Sequence, residues 1–309
     1  MVKIDLVTGF LGSGKTTFIK EYAKHLIEQG ENIGILENDF GAVNVDMMLL
    51  QELRGQQCEL EMIAGGCDAD CHKRRFKTKL ISMVMTGYDR VIVEPSGIFE
   101  VEEFFDLLRE EPLDQWYQLE NVITIIHANL ETDLSKQSRY LLASQIAQSG
   151  CVLFSRGSEL SKQEKEHKIQ QVNAYLEEFD CLKRIAEDAL FLDLKEMKKE
   201  DLYKIQKAGY ISDSHKKIWF NQDEIFQSVY FMEKKMEKTD LETFVECVFS
   251  DVSCGNVFRV KGFIQENGQW YELNATKSKT ELEPIENGQD VLIVIGERLS
   301  EENIKQKLK

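Results

Sequence analysis

Two short stretches of this chain carry residue types whose spacing can do chemistry. The first is Gly9-Phe-Leu-Gly-Ser-Gly-Lys-Thr-Thr17, which fits G-x-x-x-x-G-K-[ST] and lies between an apolar run and an amphipathic one. Gly9, Gly12 and Gly14 let the backbone curl until its N–H groups converge on phosphate oxygens. Lys15, expected to face solvent without ligand, can reach the β- and γ-phosphates. The Thr16 hydroxyl can ligate Mg²⁺, and the following helix points its positive end at the same place. With Ser13 and Thr17 these residues make a candidate site for Mg²⁺ and GTP or ATP. Two further segments are expected to face it, Glu37-Asn-Asp-Phe-Gly41 and Glu94-Pro-Ser-Gly97, because ligands of open α/β sheets gather at the carboxyl ends of strands. Asp39 and Glu94 can hold Mg²⁺ and position an attacking water, and Gly97 can give its N–H to the γ-phosphate.

The second stretch is Cys67-Asp-Ala-Asp-Cys71-His72. If it is helical from Asp68, Cys67 and Cys71 lie one turn apart with His72 beside them; if it is a loop, Asp68 or Asp70 can also point inward. Two thiolates with an imidazole or carboxylate suit Zn²⁺, and Co²⁺ can use the same set. Inert packing or a reversible disulfide are the alternatives for the pair. Cys58 could join the cluster but is expected rather to pack beside a Leu60–Ile63 strand, and Cys151, Cys181 and Cys247 to lie in apolar core. Cys254, before Gly255, is expected at a turn and exposed.

The elements that must position these groups follow from periodicity. Lys3–Thr8, Asn32–Glu37, Arg90–Glu94, Val122–His127, Cys151–Ser155 and Leu190–Leu194 are nearly continuous apolar runs, as strands covered on both faces require. Between them, Lys15–Glu28, Glu100–Arg109, Ser138–Gln148 and Gln163–Phe179 carry apolar residues at helical spacing. Alternation of this kind predicts an α/β fold, a mostly parallel doubly wound sheet of the P-loop NTPase type over residues 1–205. Polar residues 206–222 are expected to be a linker. Residues 223–309 are expected to form a smaller α+β domain, with strands at Glu224–Met232, Val257–Gln265, Gln269–Asn274 and Asp290–Gly296 and a helix at Leu241–Phe249. Asn267-Gly268 predicts a hairpin turn.

Bulk properties bound the function. A formal charge of −16 argues against a nucleic-acid surface, since a polyanion would be repelled. No apolar run reaches membrane-spanning length, and Val2–Thr8 is too short for a signal-peptide core. Seven scattered cysteines do not suggest a secreted disulfide framework, so a cytoplasmic protein is expected.

These motifs together resemble the CobW-like P-loop GTPases, relatives of the nickel-insertion GTPases for urease and hydrogenase. That family reads G-F-L-G-x-G-K-T-T, then N-E-F-G-x-x-x-x-D, G-C-x-C-C, E-x-S-G and N-K-x-D. This chain offers Gly9–Thr17, Asn38–Gly41 with Asp46, Gly66-Cys67 and Glu94–Gly97. Phe258-Arg-Val-Lys-Gly-Phe263 and Val294-Ile-Gly-Glu-Arg-Leu299 resemble two segments of the family's second domain, so the likeness covers nearly the whole chain. It implies a nucleotide-hydrolysing protein that delivers or senses metal, commonly zinc or cobalt, for a client metalloprotein. It also implies that Ser155, Arg156 and Ser158 stand at the base-reading motif, and that His127 borders the nucleotide. Three positions depart from the pattern: Asp39 replaces Glu, the cysteines are C-x₃-C, and Ser158 stands where an aspartate would take two hydrogen bonds from guanine. The linker holds His215 alone where many relatives carry a histidine-rich tract.

Four functions compete. The leading expectation is a nucleotide-driven metallochaperone. A nucleotide-gated assembly factor for a cofactor-dependent enzyme keeps the switch without metal delivery. A small-molecule kinase would need an arginine-rich lid, for which Lys73-Arg74-Arg75 is the nearest candidate. A binding scaffold without hydrolysis is the fourth. Oligomeric state is left open.

Overall fold

The apolar runs of the first two thirds form a seven-stranded sheet in the computed structural model, which describes residues 1–38, 49–55, 57–63, 69–130, 132–186, 189–211, 213–233 and 236–308. Its strands are β1 (Val2–Thr8), β2 (Ile33–Asn38), β3 (Cys58–Ile63), β4 (Arg90–Glu94), β5 (Tyr117–His127), β6 (Cys151–Ser155) and β7 (Leu190–Leu192). Across the sheet they run β3-β2-β4-β1-β5-β6-β7, every neighbouring pair parallel. The longer helices that accompany them are α1 (Lys15–Glu28), α2 (Ala69–Thr86), α3 (Val101–Leu108), α4 (Lys136–Ala147), α5 (Lys162–Glu178) and, after β7, α6 (Lys199–Ile205).

Strand pleat sorts the core into two layers. Ile4 and Leu6 of β1 join Phe76 and Leu80 of α2 and Phe104 of α3. Val7, on the opposite face, joins Phe18, Ile19 and Leu26 of α1 and Leu202 and Ile205 of α6. Local sequence sets two helix starts: Ser161 and Glu164 form a reciprocal capping box on α5, and Ser135 accepts from Ser138 N on α4. The parallel α/β architecture expected from alternation is what forms. The helix that is one option for the stretch from Asp68 forms as the 18-residue α2 from Ala69, and β5 begins five residues earlier than its apolar run.

A buried polar cluster lies toward the amino ends of the central strands. Asp5, fully buried in β1, accepts from Arg90 Nη1 at 2.7 Å, Tyr22 Oη at 2.9 Å and Asn121 Nδ2 at 2.8 Å. Arg90 Nε also donates to Glu31 at 2.7 Å. Arg90→Met should therefore cost about 3–5 kcal/mol in denaturant unfolding, because it strands a buried carboxylate. A loss below about 1 kcal/mol would mean Asp5 is neutral in the fold.

The described residues of 206–219 are irregular, in keeping with their polar composition, yet they belong to the first of two compact units, which runs to Trp219. Gly209 O accepts from Val122 N, Ile211 N donates to Gln148 O, and Lys216 N donates to Phe179 O. The His215 side chain is fully buried 3.5 Å from Glu102. Backbone pairing, which composition does not reveal, fixes this segment.

The second unit begins at Phe220. It holds β8 (Phe226–Met232), α7 (Lys238–Ser250), β9 (Asn256–Glu266), β10 (Gln269–Thr276), β11 (Lys279–Ile285), β12 (Val291–Glu297) and α8 (Glu301–Lys307). The antiparallel sheet runs β11-β10-β9-β12-β8, with Phe244, Val248 and Ile304 packed on one face. The predicted hairpin forms, with Asn267 at φ 53 and Gly268 at φ 82. Strand β11, Lys-Thr-Glu-Leu-Glu-Pro-Ile, has no apolar run to announce it, because an edge strand carries charges and tolerates proline. Cys254, expected to be exposed, is fully buried in the core that α7 covers.

Candidate functional site

Parallel strands bring their carboxyl ends to one edge, and the chain crosses that edge between β1 and α1 through residues 9–14. Gly9, Gly12 and Gly14 all adopt positive φ, at 147, 75 and 98. A Cβ at Gly9 would overlap the Ile125 carbonyl oxygen of β5, so the loop passes the neighbouring strand at a distance only glycine allows. Gly14 caps α1 without a side-chain hydrogen bond, and no acidic residue occupies the first turn. The N–H groups and positive end of α1 thus remain available for an anion.

Lys15 is not solvent-facing as expected. It is 9% exposed, its ammonium donating to Gly9 O at 3.3 Å and standing 3.9 Å from Glu94 Oε1. The same carboxylate oxygen accepts from Thr16 Oγ1 at 3.2 Å. Burial is the reason for the difference: with the loop curled, the lysine stem lies along it and a carboxylate from β4 draws the charge inward. Glu94, Lys15 and Thr16 thereby meet as a buried acid, base and hydroxyl, a donor set that suits Mg²⁺ and phosphate. From β6, Ser155 Oγ donates to Ser13 O at 2.7 Å and ties down the loop's far side. A Cβ at Gly97 would come within 2.7 Å of Leu11 Cδ2 and 2.9 Å of Leu11 N, so the segment after β4 rests directly on the phosphate loop.

Asp39 lies outside the described residues. Glu37, which opens the segment expected to face the nucleotide, is the penultimate residue of β2, directly opposite Glu94, and is 2% exposed. Of the base-reading residues, Arg156 has a left-handed backbone (φ 54) and Ser158 is exposed. Phe154 stacks on Phe191 with centroids 4.3 Å apart. His127 Nδ1 accepts from Asn129 N at 3.0 Å, turning the chain after β5.

Of the thiol cluster, Cys67 and Asp68 lie outside the described residues. Cys71 and His72 sit in the first turn of α2, Cys71 half-buried and His72 6% exposed. Consecutive helical positions point about 100° apart, so these two side chains leave on different faces. Burial first, then the Arg75 charge, hold the His72 imidazole below its usual pKa and so neutral. No group of three or more His, Cys, Asp or Glu residues is placed to hold a metal ion among the described residues. Burial pushes the Cys58, Cys151 and Cys181 thiols up to about 11, so each stays protonated at neutral pH and serves packing. Lys73, the start of the candidate kinase lid, is on regular helix and paired with Glu110 at 2.8 Å.

Comparison with known proteins adds to this geometry. Residues 3–185 match the model of the CobW/HypB/UreG nucleotide-binding domain, and residues 226–309 match that of the cobalamin synthesis protein cobW C-terminal domain. The zinc chaperone YeiR of Escherichia coli is 29% identical over 172 residues, covering 55% of this chain and 51% of that protein. The zinc chaperone YjiA of the same organism is 25% identical over 184 residues, 56% of this chain and 55% of that one. Its solved Zn(II)-bound form aligns over 99% of this chain and 97% of its own at 17% identity, with a TM-score of 0.40. The zinc-regulated GTPase metalloprotein activator 1 of Schizosaccharomyces pombe is 22% identical over 195 residues, 60% of this chain and 45% of that protein. The chain thus spans about half the length of the curated relatives it matches. Among the described residues no helix is long and apolar enough to cross a membrane.

Proposed function

The chain belongs to the CobW/HypB/UreG family, its nucleotide-binding domain followed by a cobW C-terminal domain, and on that premise we propose that it is a cytoplasmic, GTP-dependent metallochaperone. Residues 1–205 would bind and hydrolyse the nucleotide, 206–222 would connect, and 223–309 would form the second domain. The observation that carries this reading is the buried meeting of Lys15, Thr16 and Glu94 under a glycine loop on which Gly97 rests. Lys15 and the loop N–H groups of Gly12 to Thr17 would hold phosphate, while Thr16, Glu94 and Asp39 would hold Mg²⁺. Mg²⁺ there neutralises charge on the phosphates. Glu94 or Asp39 would accept a proton from, or orient, the attacking water.

Zinc, or cobalt, is the cargo rather than a resident cofactor. The relatives' names as zinc chaperones and as a zinc-regulated activator support zinc first. Cys67 and Cys71 are its proposed thiolates, and His72 would join them only once the first turn of α2 opens. The receiver would be a client metalloprotein. A second reading, a nucleotide-gated assembly factor without metal delivery, is favoured by the turn of His72 away from Cys71. The deciding experiment is elemental analysis of untagged protein purified anaerobically without chelator, alongside GTP hydrolysis. About one zinc per chain, lost in Cys67→Ser and Cys71→Ser, supports delivery. Hydrolysis with no bound metal moves the protein to the second reading, and neither property leaves the proposal without support.

Base choice is a separate expectation. With Ser158 exposed and lacking a carboxylate, preference for GTP over ATP should be about tenfold or less, and Ser158→Asp should sharpen it. Competition binding that gives a preference above about a thousandfold would show that another residue reads the base.

A further inference from the structure

We propose that Gln145 is the positioning residue of the Glu94–Gly97 segment, and that it sets how well the site distinguishes a nucleoside triphosphate from a diphosphate. The inference rests on the nucleotide reading above. Gln145 lies on α4 among the buried Leu141, Leu142 and Ile146, and is itself fully buried. A long polar side chain in such surroundings needs partners, and it finds them in the loop after β4. Its Nε2 donates to Gly97 O at 3.0 Å and to Phe99 O at 3.3 Å, which uses both amide hydrogens. Its main-chain oxygen accepts from Thr124 Oγ1 at 2.9 Å, and Thr124 is the register partner of Thr8, the residue before Gly9.

A continuous connection results. The phosphate loop meets Gly97 at Leu11, Gly97 meets Gln145, and Gln145 is anchored to the strand beside β1. A diphosphate and a triphosphate differ only in the terminal phosphoryl group, beyond the reach of the first-turn N–H groups that grip the inner phosphates. Beside Lys15, which can reach that group from the loop itself, a second reader comes from another segment, and Gly97 is the residue placed against the loop to serve as one. Where Gly97 stands is decided by the donor behind it. Gln145 Oε1 and Ser96 Oγ are buried with no hydrogen-bond partner among the described residues.

The test uses the full chain in three forms: unaltered, Gln145→Leu and Gln145→Glu. Leucine keeps the bulk and removes both donors, and glutamate keeps the shape while placing an oxygen against two carbonyls. Calorimetry would give affinities for Mg²⁺-GDP and for a non-hydrolysable Mg²⁺-GTP analogue, with thermal unfolding as the fold control. GDP affinity should change by less than about threefold while the analogue binds at least about tenfold more weakly, and kcat should fall with it. An unchanged ratio of the two affinities in a folded variant overturns the inference. So does an equal loss for both nucleotides, or a failure of both variants to fold, since either makes Gln145 a packing residue. If the unaltered protein binds neither nucleotide, the nucleotide reading itself falls and takes this inference with it.

Discussion

Lys15→Ala should bind Mg²⁺-nucleoside triphosphate about a hundredfold more weakly than the unaltered protein, the size expected for loss of a charge-assisted phosphate contact. The structure adds a second consequence. Lys15 is buried beside Glu94 rather than waving in solvent, so its removal takes a cation from a buried carboxylate. Stability should drop by about 1 kcal/mol or more without ligand. Calorimetric titration and denaturant unfolding read the two effects separately. A folded Lys15→Ala protein with undiminished nucleotide affinity would remove the phosphate-loop assignment, whatever the family.

The other large effect joins the nucleotide to the cargo. In sequence the Cys67 and Cys71 segment follows β3, extends into the first turn of α2 and lies between the Asp39 and Gly97 motifs, so the terminal phosphate should change metal affinity. Coupling of this kind is typically about 1–3 kcal/mol, or roughly 5- to 150-fold, and metal must alter nucleotide affinity by the same factor. Zinc binding as thiolate should release protons, which gives an independent readout. Competition with a chelating indicator, once with GDP and once with a non-hydrolysable GTP analogue, measures the coupling directly; Cys67→Ser and Cys71→Ser abolish the signal. Equal zinc affinity in both nucleotide states would leave two unconnected sites, and the metallochaperone mechanism would fail while hydrolysis stood.

By itself the sequence determined what depends on near neighbours along the chain. Apolar runs of five or six residues and helical stripes between them specify alternating elements, because each element's own period decides which surface it can bury. The glycine spacing of residues 9–17 specifies a phosphate loop, since backbone conformation there is a local matter. Asn267-Gly268 likewise specifies its hairpin. What tertiary structure decided depends on register between distant strands and on burial. Glu37 stands opposite Glu94 only because β2 pairs with β4 in that register, 57 residues apart. Ser155 grips Ser13 across 142 residues, and Gln145 reaches Gly97 across 48. Lys15 turns inward because a carboxylate from another strand awaits it. Strand β11 exists because β10 offers an open edge, which its own charged residues would not announce. Pairings of that kind are settled by which surfaces close over one another, a through-space condition that no local pattern encodes.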